Sequence, residues 1–173
     1  MIVNQNRKVR ILGIDPGSQK TGFGVIDSDG MKHKYIAGGC LHLSKNDSYS
    51  QLQQIFQGLS EIIAEYKPDE FAIEQVFMKV NVNSALKLGQ ARGVALVTAA
   101  NMGLAIAEYS ARQIKQAVVG YGAASKDQVQ HMIKLLLKLQ QSPEEDMADA
   151  LAVAMCHANM RRFLEKLKNA GAK

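Results

Sequence analysis

In the first quarter of the chain apolar residues run together over short stretches broken by glycine and polar turns; beyond it they recur with a helical period. Val9 to Ile14 reads as a buried strand and Thr21 to Ile26 as a second, with Gly22 and Gly24 limiting side-chain bulk. Asp29-Gly30 supplies a hairpin turn into a third strand around His33 to Leu43, so the opening predicts an antiparallel meander. From Gln51 the period changes. Leu52, Ile55, Phe56, Leu59, Ile62 and Ile63 fall at i, i+3, i+4, i+7, i+10 and i+11, one stripe of an amphipathic helix that Pro68 ends.

Phe71 to Val76, FAIEQV, is short and apolar and follows a helix, which predicts a parallel strand reached by a crossover. Ser84 to Asn101 reads as a helix rich in small residues (Gly89, Ala91, Gly93, Ala95, Ala99, Ala100), and Leu104 to Tyr109 as a further strand. Small side chains let another backbone come close, within the fold or across a dimer. Two later helices are predicted from capping boxes, in which a hydroxyl and a Glu or Gln three residues on satisfy free amides: Ser125 to Gln128, and Ser142 to Glu145 with Pro143 at the first helical position. The apolar residues of the second continue towards Leu164. Antiparallel strands followed by strands alternating with helices make a mixed α/β sheet the predicted class. At 173 residues one domain is expected, with residues 1–8 and about 167–173 frayed.

Composition narrows the setting. With 47% hydrophobic and 21% charged residues the chain is ordinary globular material, and no apolar run reaches membrane-span length. The N-terminus MIVNQNRKVR is too polar for a signal peptide, so a cytoplasmic protein with no membrane association is expected. The cysteines Cys40 and Cys156 stand far apart without metal-ligand spacing, which suits reduced packing residues. The four histidines, His33, His42, His131 and His157, also lack ligand spacing. A net charge of +5 permits a polyanionic partner without requiring one.

The acidic residues carry more. Asp15 ends an apolar strand at Pro16-Gly17, a position that a turn alone would explain. Glu74 sits inside an apolar strand, where an ionised side chain is costly unless it finds an edge, a partner or a metal. Asp146 and Asp149 share one helix face, and Asp149 is embedded in the apolar run MADALAVAM. With Ser142 as N-cap, Asp146 falls in the second helical turn. Each acid alone has a bland reading as a turn former, an ion-pair partner or a solvated helix residue. Four carboxylates converging would repel one another and raise their own pKa values unless divalent cations joined them. Hard cations such as Mg²⁺ take such oxygen ligands, and a pair of ions activates water against a phosphodiester.

At this point ILGIDPGSQKTGFGVI, FAIEQVFMKVNVNSALKLGQARGVA, VVGYGAASKDQVQHMIKLLLKL and EDMADALAVA together resemble the RuvC family of Holliday-junction resolving endonucleases, from about Val9 to about His157. The resemblance implies an α/β, RNase H-like mixed β-sheet with helices on both faces, in a single nuclease domain spanning 1–173. It also implies a homodimer that nicks four-way DNA junctions symmetrically in recombination and repair. One or two Mg²⁺ per site, replaceable by Mn²⁺, would be held by Asp15, Glu74, Asp146 and Asp149. By the same resemblance Asp15 would bridge both metals, Glu74 would hold one and orient the attacking water, and Asp146 and Asp149 would complete coordination and assist proton transfer. Phe77 would stack on or wedge between unpaired bases, and Lys79, Lys115 and Lys126 would touch DNA. RuvA and RuvB would be the cellular partners. The small residues after Asp15 would leave room for a phosphate backbone, and Gln19 stands where many family members carry a basic residue.

Three other readings stay open. GIDPGSQKTGFG resembles the first phosphate loop of actin-like and sugar-kinase ATPases, but the chain is short for two lobes and has no second DxG loop. An RNase H-like nuclease of the ribosomal-RNA-processing type is similar at the first motif but usually lacks the long matched stretch from Phe77 to Gly93. A junction-binding module that does not cut would have no need of four acids.

Overall fold

The computed structural model describes residues 8–44, 47–75 and 82–171, with side chains of the last helix described as far as Leu164. Its three opening strands are β1 (Val9–Asp15), β2 (Lys20–Ser28) and β3 (His33–His42), antiparallel in sequence as the alternation and the Asp29-Gly30 turn predict. Asp29 makes that turn by accepting the amides of Met31 and Lys32, and Gly30 takes φ +85°. Helix α1 (Ser48–Tyr66) then crosses to β4 (Glu70–Glu74), and α2 (Val82–Asn101) crosses to β5 (Ala105–Tyr109). Both crossovers yield parallel pairing, β4 on β1 and β5 on β4, so the sheet order is β3-β2-β1-β4-β5.

Helix α1 begins before the apolar stripe because Asp47 caps it, accepting from the Ser50 amide at 2.7 Å. It ends at Lys67, in left-handed conformation (φ 48°), just ahead of Pro68. Ile55, Leu59, Ile62 and Ile63 are buried as predicted, whereas Phe56 is exposed. Phe56 lies at the margin of the stripe, some 100° of helix away from Ile55, and turns towards solvent. In α2 the small residues divide. Ala91, Ala95 and Ala99 pack into the fold, while Gly89 and Gly93 look onto open space.

Three helices complete the chain: α3 (Ala111–Val119), α4 (Lys126–Leu136) and α5 (Glu145–Gly171). The capping box at Ser125 and Gln128 forms as predicted. Ser110 and Gln113 form another, at the start of a helix the sequence reading had not assigned. The box predicted at Ser142 does not form. Helix α5 starts at Glu145, its first backbone bond running from the Ala148 amide to Glu144, so Pro143 precedes the helix and Asp146 falls in the first turn rather than the second. The Pro143 carbonyl is instead taken by the Gln130 side chain of α4.

Two apolar layers result. One lies beneath α1 and α2 and is built on Leu12, Ile14, Val25, Phe71 and Ile73; the other lies beneath α3, α4 and α5 and is built on Ile11, Ile26, Ala72, Ile133 and Leu151. Helices therefore cover both faces of the sheet. Helix α5 lies on its face at close range because glycines underlie it. A Cβ on Gly13 would collide with the Ala150 carbonyl, one on Gly22 with the Asp146 carbonyl, and one on Gly24 with Leu151. Among the described residues no helix is long and apolar enough to cross a membrane.

Candidate active site

Strands β1 and β4 are adjacent and parallel, with Ile14 opposite Ile73, so their next residues, Asp15 and Glu74, end side by side. Each belongs to the alternation that faces α5: Asp15 follows Ile11 and Gly13, and Glu74 follows Ala72. On the other side of Asp15 its register partner is Gly22, over which the Asp146 backbone is seated. Asp149 stands one turn further along α5. Gly22, read from the sequence as limiting side-chain bulk in the second strand, thus admits the helix carrying two of the acids.

The electrostatics record the convergence. Burial, then the charges of Glu74, Asp149 and Asp146, push the Asp15 carboxyl up to about 8. Burial and Asp149 raise Glu74. Burial also raises Asp149, with Glu145 and Asp146 adding to the effect. Two lysines act in the opposite sense: Lys126 favours the charged form of Asp15, Glu74 and Asp149, and Lys115 that of Glu74 and Asp149. Lys126, the first residue of α4, bonds to Glu145 and lies 3.7 Å from Asp149. All four predicted acids and two of the predicted lysines therefore face one another. Phe77 and Lys79 lie outside the described residues.

The sequence reading missed two further side chains here. Glu145 shares Lys126 with Asp149, and its signal was the acidic run EED at the start of α5. Arg92 of α2 donates to the Glu74 carbonyl at 3.3 Å and pairs with Glu108 of β5, holding the end of β4 from the side. Its position in the quoted stretch GQARG carried no hint of that role. The nearby Cys40 thiol points to Glu144 at 3.7 Å and is pushed up to about 11 by burial and by the acids around it, while Cys156 packs in the core.

As a donor set, four carboxylates whose own charges oppose ionisation suit a hard divalent cation, which would relieve the repulsion that raises Asp15. Among the described residues no three acidic, histidine or cysteine side chains already converge at the spacing a single ion requires. Lys126 supplies the positive charge in this arrangement.

Comparison with known proteins gives a consistent answer. Residues 11–157 match the family model described as crossover junction endodeoxyribonuclease RuvC. Curated relatives of that description include one from Shewanella frigidimarina, 63% identical over 85% of each chain, and one from Marinobacter nauticus, 55% identical over 94% of this chain and 93% of the other. Among solved structures, T. thermophilus RuvC in complex with Holliday junction substrate superposes with a TM-score of 0.84 at 32% identity, covering 90% of this chain and 96% of that one. The yeast mitochondrial Holliday junction resolvase Ydc2 shares the fold at 11% identity, with a TM-score of 0.69. The α/β, RNase H-like sheet with helices on both faces is thus the resolvase fold, and the chain belongs to the RuvC family of crossover junction endodeoxyribonucleases.

Proposed function

We propose that this chain resolves four-way DNA junctions in the cytoplasm by metal-dependent hydrolysis of phosphodiesters, nicking symmetrically as a homodimer during recombination and repair. The observation that carries the reading is the set of carboxylates gathered at one end of the sheet, Asp15, Glu74, Asp146 and Asp149, where burial and then the neighbouring acids hold Asp15 near 8. These four would hold one or two Mg²⁺, or Mn²⁺ in their place. Such ions supply a water ionised near neutral pH and a counter-charge for the leaving oxygen.

The rest falls to the chain. Asp15 lies between Glu74 on one neighbouring strand and Asp146 over the other, and would hold metal from the middle of the set. Glu74 is held at its backbone by Arg92 and is suited to orient the attacking water. Asp146 and Asp149 would add oxygen ligands and could take up a proton. Lys126 and Lys115 are exposed or half-buried cations beside the acids, fitted to a phosphate once the carboxylates turn to metal. Phe77 is proposed to stack on unpaired bases at the junction and Lys79 to contact the backbone, and RuvA and RuvB are the proposed partners.

The dimer has a candidate surface. Val82, Leu86, Gly89, Gly93 and Val97 fall on one face of α2, opposite the face that packs inward; the three large side chains are exposed, and the two glycines meet nothing within 4 Å. An apolar stripe interrupted by two glycines allows close approach of a second copy of the same helix. Two sites related by a two-fold axis then match a two-fold junction.

The test is incubation with a mobile four-way junction and a matching linear duplex, in Mg²⁺ or EDTA, with cuts mapped on every strand. Paired symmetric nicks in the junction alone, dependent on Mg²⁺, are expected. Junction binding without cutting would replace the nuclease by a binding module.

A further inference from the structure

A half-buried polar chain lies midway along α5, about two turns beyond Asp149. Tyr109, the last residue of β5, reaches back so that its hydroxyl meets His157 Nδ1 at 2.7 Å; His157 Nε2 meets Glu70 at 2.7 Å; and Glu70 accepts Arg161 Nε at 3.0 Å. His157 and Arg161 are one turn apart on α5, and Glu70 is the first residue of β4. The His157 bond, then the Arg161 charge, holds the Glu70 carboxyl below its usual range, so it remains an acceptor through neutral pH. An imidazole with its proton on Nε2 satisfies every partner, donating to Glu70 and accepting from Tyr109.

The two elements joined there are the two that deliver acids. Glu70 and Glu74 lie four residues apart on β4, about 13 Å at the rise of a strand. Asp149 and His157 lie eight residues apart on α5, about 12 Å at the rise of a helix. Strand and helix run in opposite senses, so fastening Glu70 to His157 brings Glu74 level with Asp149, whose charge raises the Glu74 carboxyl. Tyr109 adds a second fastening, because its carbonyl accepts the Gln75 amide at 2.8 Å, the peptide immediately after Glu74.

We propose that Tyr109, His157 and Glu70, closed by Arg161, act as a register pin that sets the height of Glu74 against Asp149. These are positioning residues; none touches substrate or metal. The inference rests on the reading that Glu74 and Asp149 hold a cation. It ascribes to the pin a function that core packing alone does not supply, since sliding α5 by a single residue would displace Asp149 by about 1.5 Å, enough to spoil a metal site.

The test is Mn²⁺ binding to the full chain without DNA, followed by electron paramagnetic resonance of the free ion, alongside melting temperature and Mg²⁺-dependent junction cleavage. His157→Ala and Glu70→Gln are expected to weaken Mn²⁺ binding about tenfold, the lower end of what loss of an orienting group costs a metal site. His157→Gln, which keeps a donor for Glu70, is expected to recover most of that loss. Ile55→Val, a core truncation in the layer on the other face of the sheet from α5, lowers the melting temperature without moving Mn²⁺ affinity. If His157→Ala fails to fold, Glu70→Gln and Tyr109→Phe, which preserve volume, carry the comparison. A wild-type chain that binds Mn²⁺ and cuts, with affinity in all pin variants within twofold of it, overturns the pin alone. A wild-type chain that neither binds Mn²⁺ nor cuts removes the proposed function and the pin with it.

Discussion

Asp15 turns the crowding of acids into a measurable property. Its carboxyl ordinarily titrates at 3.8 but is held at about 8 in the folded chain. Between those values the native state keeps a proton that the unfolded chain has released, so the associated stability is present below about pH 4 and lost as pH rises through about 8. Glu74 and Asp149, also raised, add in the same sense. In EDTA the melting temperature is therefore expected to fall from about pH 5 to about pH 8.5. Asp15→Asn flattens that slope and raises the melting temperature at neutral pH, which scanning calorimetry of both proteins will register. The same substitution leaves junction binding intact while cutting cleavage by roughly two orders of magnitude or more, as expected for loss of one positioned catalytic group. Cation binding at pH 7 must displace the Asp15 proton. Calorimetry in buffers of different ionisation enthalpy is expected to show release of about one proton per site, with affinity for Mg²⁺ rising towards pH 8.

Helix α5 owes its place to the absence of side chains beneath it. Gly24→Ala would drive a methyl group into Leu151, and the expected cost is roughly 1–3 kcal/mol of stability, read from chemical denaturation. The strands and crossover helices were legible in the sequence because each carries its own period: the meander, the stripe of α1 and the runs at β4 and β5 all appear where they were expected. Helix α3 was not, although Ser110 and Gln113 have the same spacing as Ser125 and Gln128; its apolar residues Ile114 and Val118 are too few to announce a period. The box at Ser142 matched in spacing but failed in space, because the Pro143 carbonyl bonds to Gln130 and α5 begins only at Glu145. At the site, Glu74 and Asp149 stood out by their apolar context, while the grouping of all four acids came from the family resemblance. Their neighbours Glu145 and Arg92 were not legible, since a charged residue on a helix shows its partner only once the elements pack. Gly22 and Gly24 were read as limiting side-chain bulk, but only packing shows that the room is taken by α5, with the backbone of Asp146 over Gly22.

At the scale of the molecule, α2 presents one face to the core and the other to solvent, and an apolar stripe of Val82, Leu86 and Val97 runs along the exposed face. Leu86→Glu or Val97→Glu is expected to give monomers at micromolar concentration in sedimentation velocity, with isolated nicks replacing paired ones in the junction assay. The final element has another consequence. Residues Ala150 to Cys156 of α5 are at most 2% exposed, and their helix shares its backbone with Asp146 and Asp149. Amides over this stretch are expected to exchange with solvent deuterium only when the whole domain opens, which hydrogen exchange against denaturant checks: their protection should equal the global unfolding free energy. Two of the acids thus belong to the last part of the protein to let go. If those two acids hold the metal as proposed, a chain that has lost α5 is expected to have lost cleavage with it, so that unfolding disarms the enzyme.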